Sequence, residues 1–111
     1  MKKVFISVPM SGKDDKVIER AIQVTKARYL HATEQNVKDV EFYDNFHGCR
    51  NIQPDIKIPA LAYLGKAIME LGDCDIIVFG QDWQKARGCQ IEHEVALDYG
   101  IERFYPAWDM N

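Results

Sequence analysis

The run Asp75-Ile76-Ile77-Val78-Phe79-Gly80 restricts the possible folds more than any other part of the chain. It is short, apolar and β-branched, and it lacks the alternation of a strand that shows one face to water. Such a run reads as a strand buried on both faces, an environment that a parallel sheet with helices on both sides provides. A second run, Lys3-Val4-Phe5-Ile6-Ser7-Val8, is closed by Pro9, whose missing amide ends a central strand. Val40-Glu41-Phe42-Tyr43-Asp44 is more mixed in polarity and predicts an edge strand, and Ile101 to Pro106 a short fourth one.

Helical patterns separate these strands. Ser11 and Asp14 stand in capping-box spacing, which predicts a helix starting near Gly12 with Ile18, Ala21, Ile22, Thr25, Tyr29 and Ala32 on its inner face. Pro59 suits the first position of a helix striped by Leu61, Leu64, Ala67, Ile68 and Leu71 and stopped by Gly72. Gly88 marks the turn into a third helix over about residues 89–99, which Gly100 ends. Asp73 and Asp75 flank the entry to the third strand, the wrong end of a parallel strand for catalysis. The alternation predicts an α/β fold, a flavodoxin- or Rossmann-like three-layer sandwich with four to five parallel strands in the order 2-1-3-4. Its 111 residues suit one core and one domain, 1–111.

In that order strands 1 and 3 are neighbours, and an open α/β sheet binds ligands at the carboxyl ends of its strands where the order reverses. Pro9, Met10, Ser11 and Gly12 line that crevice from one side and the stretch from Trp83 to Glu92 from the other. Glu92, Val95, Ala96 and Tyr99 recur at i, i+3, i+4 and i+7, so a carboxylate heads an apolar stripe. Burying an unpaired ionised acid costs several kcal/mol or raises its pKa, which makes Glu92 the candidate catalytic group. A structural alternative is a first-turn acid favoured by the helix dipole by roughly 0.3–1 kcal/mol.

The loop Pro9-Met10-Ser11-Gly12-Lys13 has the parts of an anion cradle, free amides at a helix start and a mobile cation. An ordinary capped loop fits it equally well, and the spacing is not that of a P-loop. Residues 45–58 show no period and form a long connection of the kind used as a lid or an interface, with His47 and Arg50 as its ligand-facing candidates. Trp83 is either a platform for a base or sugar or a surface-covering aromatic.

A net charge of −3 argues against a nucleic-acid backbone or an anionic membrane as the main partner. Cys49, Cys74 and Cys89 are odd in number and without C-x-x-C spacing, and His31, His47 and His93 stand in unrelated contexts. Neither a disulfide framework, a metal site nor a cofactor is expected. No apolar run approaches the ~18 residues of a membrane span and the start has no signal-peptide h-region, so the expected location is cytoplasmic.

Gly88-Cys89-Gln90-Ile91-Glu92-His93-Glu94-Val95-Ala96 resembles the G-x-x-x-E-x-x-x-A segment of the nucleoside 2-deoxyribosyltransferase superfamily. Phe5-Ile6-Ser7-Val8-Pro9-Met10-Ser11-Gly12 is similar to its first strand and G-P-M-type loop, and Asp73-Cys74-Asp75-Ile76-Ile77-Val78 to its acid-then-strand segment. The likeness is strongest to a short DUF4406-like branch found in bacteria and their phages, on Asp82-Trp83-Gln84-Lys85-Ala86-Arg87-Gly88-Cys89-Gln90-Ile91-Glu92. The resemblance implies Glu92 as nucleophile at an N-glycosidic bond, with Pro9, Met10, Ser11, Gly12, Lys13, Asp82, Trp83, Arg87 and Gly88 around a small nucleoside or nucleotide. The transferases carry a Tyr where this chain has Phe5, an acid where it has Ala67 or its neighbours, and another where it has Lys85 and Ala86. Hydrolysis is therefore favoured over base exchange, and a non-catalytic nucleotide-binding or interaction module of the same fold is the alternative. A phosphoreceiver would need acids that Val8-Pro9-Met10 does not offer. A homodimer or larger oligomer is expected from the aromatic residues Phe46, Tyr105 and Trp108.

Overall fold

In the computed structural model, which describes residues 1–108, strand β1 (Lys2–Ser7) is paired in parallel on both sides. Strand β2 (Val40–Asp44) lies along one edge of it, with Ile6 opposite Asp44. Strand β3 (Ile76–Phe79) lies along the other, with Ser7 opposite Phe79, and β4 (Glu102–Phe104) pairs with β3. The sheet is therefore four-stranded, all parallel and ordered β2-β1-β3-β4. Its two innermost strands bury both faces, the reason their sequences do not alternate between apolar and polar.

Helix α1 (Asp15–Thr33) covers one face, where Ile18, Ile22 and Tyr29 pack against Val4, Ile6, Val40, Ile76 and Val78. The Tyr29 ring meets Phe42 and Phe104 edge-on, bracing the two outer strands. Helices α3 (Pro59–Leu71) and α4 (Arg87–Tyr99) cover the other face, where Ala67, Leu71 and Ala96 meet Phe5, Ile77 and Phe79. Ser7 shares this second face, since side chains two apart in a strand point the same way. No described helix is long and apolar enough to cross a membrane.

Several expectations shift at the level of single residues. Helix α1 begins at Asp15, three residues later than the capping-box reading, because Asp14 itself accepts from the Lys16 and Val17 amides. Ser11 and Gly12 form a tight turn instead, with Gly12 at a φ of 75° and the Lys13 amide donating to the Met10 carbonyl. Ala32 is exposed, and Tyr99, expected on the inner face of α4, is 81% exposed. Cys89 takes its place among the buried residues of that helix, which begins at Arg87. The connection 45–58 opens with a single helical turn, α2 (Asn45–Gly48), capped by Asp44. Asp73 and Asp75 hold Lys3 at the amino ends of the strands, away from the carboxyl edge. At the C-terminal end Trp108 lies over the Arg28 guanidinium, while Asp109, Met110 and Asn111 are outside the described residues.

Gly80, just past the end of β3, stands close against Val8 and α1. A Cβ there would stand 2.7 Å from Val8 Cγ1 and 3.0 Å from Thr25 Oγ1, while its amide donates to the Ser7 carbonyl at 2.8 Å. Gly80→Ala should destabilise the domain by about 1–3 kcal/mol, the usual cost of overpacking, as read from urea unfolding. A neutral result would mean that α1 is not seated as described.

Candidate functional site

Beyond the carboxyl ends of β1 and β2 the chain encloses a small cavity of about 10 Å³, lined by Ser7, Met10, Asp44, Asn45, Phe46 and Glu92 among others. Its existence follows from the topology. Neighbouring parallel strands send their chains off to opposite faces at this edge, and the gap is left between them.

Glu92 reaches the cavity from the second turn of α4 and is 4% exposed. Ser7 Oγ donates to Glu92 Oε1 at 2.7 Å. Burial drives the Glu92 carboxyl upward and the Ser7 hydrogen bond pulls it back, leaving it at about 7. The acid is therefore poised between its two protonation states at neutral pH, as buried carboxylates in active sites often are. Cys89, one turn earlier, is the other nucleophile type at hand, but burial pushes its thiol up to about 12 despite the Ser7 hydrogen bond. A thiol in that state is not a nucleophile at neutral pH.

The opposite wall is α2. Asp44 is buried, accepts from the His47 amide at 2.7 Å, and stands 2.8 Å from His47 Nδ1. His47 Nε2 lies 2.8 Å from Glu19 Oε2 on α1. Both carboxylate oxygens of Asp44 are thus committed to holding α2 over the cavity. His47, read from the sequence as ligand-facing, serves as a strut between Asp44 and Glu19, and Arg50 is exposed.

The remaining residues singled out from the sequence distribute around this centre. Met10 lines the cavity with Glu92, whereas Ser11, Gly12 and Lys13 are exposed in the turn that follows. Asp82 is exposed, has a left-handed backbone with φ 63°, and stands 3.7 Å from Lys85 Nζ. Trp83 packs within 4.6 Å of the Phe79 ring and 4.4 Å of the His93 ring, in a cluster that Tyr105 completes through its hydroxyl, 2.6 Å from His93 Nε2. Burial and the nearby Arg103 hold His93 below its usual range.

The free amides also lie elsewhere than expected. Asp14 occupies those of α1 with its own carboxylate, so the start of α1 is already neutralised. Helix α4 is preceded by Ala86 and has no side-chain cap, and its first residues, Arg87 and Gly88, are exposed. A Cβ at Gly88 would meet nothing within 4 Å, so packing inside the chain does not demand glycine there.

Ser7 and Asp44 were not legible as site residues, and Asn45 and Phe46 were read only as part of the 45–58 connection. Ser7 left the best signal, a hydroxyl inside an otherwise apolar strand run, and Asp44 the next, an acid at a strand's carboxyl end. Among the described residues no group of three or more His, Cys, Asp or Glu side chains is placed to hold a metal ion.

A family model described as a domain of unknown function, DUF4406, matches residues 2–105, which takes in all four strands and both walls of the cavity. No curated protein and no solved structure matches the chain.

The position of Glu92 carries a stability cost with a defined sign. Its pKa rises from 4.5 to about 7 on folding, so below 4.5 both states hold the proton and nothing is lost. Between the two values the unfolded chain releases a proton that the folded one keeps, and stability falls as pH rises, by about 3 kcal/mol in all. Glu92→Gln should therefore be more stable than wild type by about 2–3 kcal/mol near pH 8 and by under about 1 kcal/mol near pH 5, measured by urea unfolding. Equal stability near pH 8 would show that the carboxylate is not desolvated.

Proposed function

The chain belongs to the DUF4406 family, whose description assigns no activity, and from the crevice itself we propose that it binds a nucleoside or nucleotide and cleaves the bond between base and sugar. The observation that supports this reading most is Glu92, a buried carboxylate with a raised pKa at the ligand-binding edge of a parallel sheet. The likeness of Gly88 to Ala96 to the nucleoside 2-deoxyribosyltransferase superfamily names the reaction class.

N-glycoside cleavage passes through an oxocarbenium-like state, which a carboxylate beside the anomeric carbon stabilises and can attack. Glu92 attacks that carbon, the base departs with the bonding pair and is protonated from solvent, and water then hydrolyses the glycosyl ester, freeing the sugar, the Glu92 carboxylate and a proton that replaces the one the base took up. Ser7 orients the carboxylate by its hydrogen bond to Oε1 and keeps part of it ionised. Phosphate recognition, if the substrate has one, falls to the uncapped start of α4 with Arg87 and to Lys13 in the exposed turn. Water is a simpler acceptor than a second base, because the acids expected on α3 and before α4 are replaced by Ala67, Lys85 and Ala86.

A cavity of about 10 Å³ holds about one water, whereas ligand pockets run to roughly 300–1,000 Å³. Binding therefore requires the wall formed by Asn45 and Phe46 to swing outward. That wall is a single helical turn tethered by the Asp44, His47 and Glu19 contacts, with half-exposed side chains on His47 and Glu19, and it leads into irregular chain from residue 49 to 58. Such a short element opens at small cost compared with any helix of the sheet layers.

Wild type and Glu92→Ala are to be incubated with deoxynucleosides and their 5′-monophosphates while free base is followed by chromatography and binding by calorimetry. Release of base that falls at least about 1,000-fold in Glu92→Ala is the expected outcome. The rate should rise with pH through about 7, since a nucleophile must be ionised; a rate that falls over the same range would make Glu92 a proton donor instead. Binding without release would favour the non-catalytic module, and neither binding nor release would leave this reading without support.

A further inference from the structure

The tether that holds the wall of the crevice uses both ring nitrogens of one histidine. His47 Nδ1 lies 2.8 Å from Asp44 Oδ2, and Nε2 lies 2.8 Å from Glu19 Oε2. Each contact needs a hydrogen between nitrogen and oxygen, because an ionised carboxylate only accepts. A neutral imidazole carries a single N–H, so it satisfies one of the two acids and turns a lone pair toward the other. Glu19 Oε2 is closed off from water and has no hydrogen-bond partner among the described residues besides this ring nitrogen. An acceptor left buried and unmade is costly, so the closed wall fits an imidazolium that donates in both directions.

We propose that His47 is a proton-dependent latch on the crevice, resting on the reading of α2 as the movable wall of a ligand site. Doubly protonated, His47 ties α2 to α1; loss of the Nε2 proton to solvent frees α2 to swing outward and admit the ligand. The Glu19 side is the one that gives way. Asp44 is 5% exposed and also receives the His47 amide at 2.7 Å, whereas the Glu19 side chain is 43% exposed and can turn to water. The closed wall holds one proton more than the open one, so rising pH favours the open wall and falling pH the closed one. Histidine is the side chain that ordinarily makes such a change between about pH 5 and 8.

The other charged groups about α2 differ from His47. Glu70 and Lys66 of α3 stand beside Gly48 and Cys49 and pair with each other, Lys66 Nζ 3.8 Å from Glu70 Oε1. The Cys49 thiol is pushed up by burial and by Glu70, so it keeps its proton throughout this range. Arg50 is exposed and permanently charged. Glu92, across the cavity on α4, titrates at about 7 and is separated from His47 by substitution.

The test is hydrogen exchange of the unliganded full chain at the amides of Cys49, Arg50 and Ile52, which are bonded to the carbonyls of Asn45, His47 and Cys49. The opening constant of this segment, corrected for the intrinsic pH dependence of exchange, is compared near pH 5.5 and near pH 8.5. Wild type should open at least about tenfold more readily at the higher pH. His47→Gln has no second proton to lose and should open equally at both, at about the wild-type level of the higher pH. Glu19→Gln places an amide opposite Nε2 that donates to the neutral ring and accepts from the charged one. It should therefore keep the wall closed at both, a result that packing alone would not produce. With Glu92→Gln the pH response of α2 should persist. If His47→Gln fails to fold, Glu19→Gln carries the test. A wild-type wall indifferent to pH, a response that survives His47→Gln or Glu19→Gln, a Glu19→Gln wall open at both pH values, or a response lost in Glu92→Gln would overturn the latch. No substrate is present, so base release without this response strikes the latch alone, and the response without base release strikes the reaction alone.

Discussion

Strand β1 can satisfy its backbone only if hydrogen-bonded on both edges, and it can bury both faces only if helices lie above and below it. Every other element answers to that double requirement. Strands β2 and β3 supply the edges, and α1 on one side with α3 and α4 on the other supply the cover. Fully burying side chains such as Phe5, Ile6 and Phe79 is worth about 1.5–3 kcal/mol each, which offsets the ordering entropy of the segments that enclose them. The helices leave to opposite faces at the carboxyl end of β1, so the same requirement opens the crevice.

Glu92 is where the domain departs from stability for its own sake. An apolar side chain at that point of α4 would join Cys89 and Ala96 in the core, as their positions on the helix dictate. A carboxylate there is desolvated, held by one hydroxyl, and less stable with each step of pH toward 7. Natural sequences keep such residues where a site requires them, and loss of the acid is expected to strengthen the fold while removing whatever the acid does. The committed oxygens of Asp44 make the opposite point, since a second acid at the same cavity is spent on holding α2 in place.

The order 2-1-3-4, the parallel sense and the helix-sheet-helix layering were legible because each rests on a local pattern with a physical period. Unbroken apolar runs in Val4 to Ile6 and Ile76 to Phe79 exclude a half-exposed strand, and helical stripes between them exclude hairpins. Glu92 stood out for the same reason, as a charge in an apolar stripe. Errors gathered at element ends, where the capping-box spacing of Ser11 and Asp14 put the start of α1 near Gly12 rather than at Asp15. Asp14 prevails because Gly12 takes a left-handed turn that a helix cannot contain.

What the sequence by itself determined is the set of periods: which segments are strands, which are helices, and that an acid lies on the inner side of α4. Those properties come from neighbours along the chain, at spacings of two or about 3.6 residues. Only the tertiary structure decided that Ser7 is the partner of Glu92, 85 positions away, and that Asp44, Asn45 and Phe46 close the cavity while Ser11 to Lys13 stay outside it. Contacts of that kind depend on how helices and strands are stacked, and stacking leaves no period in the chain.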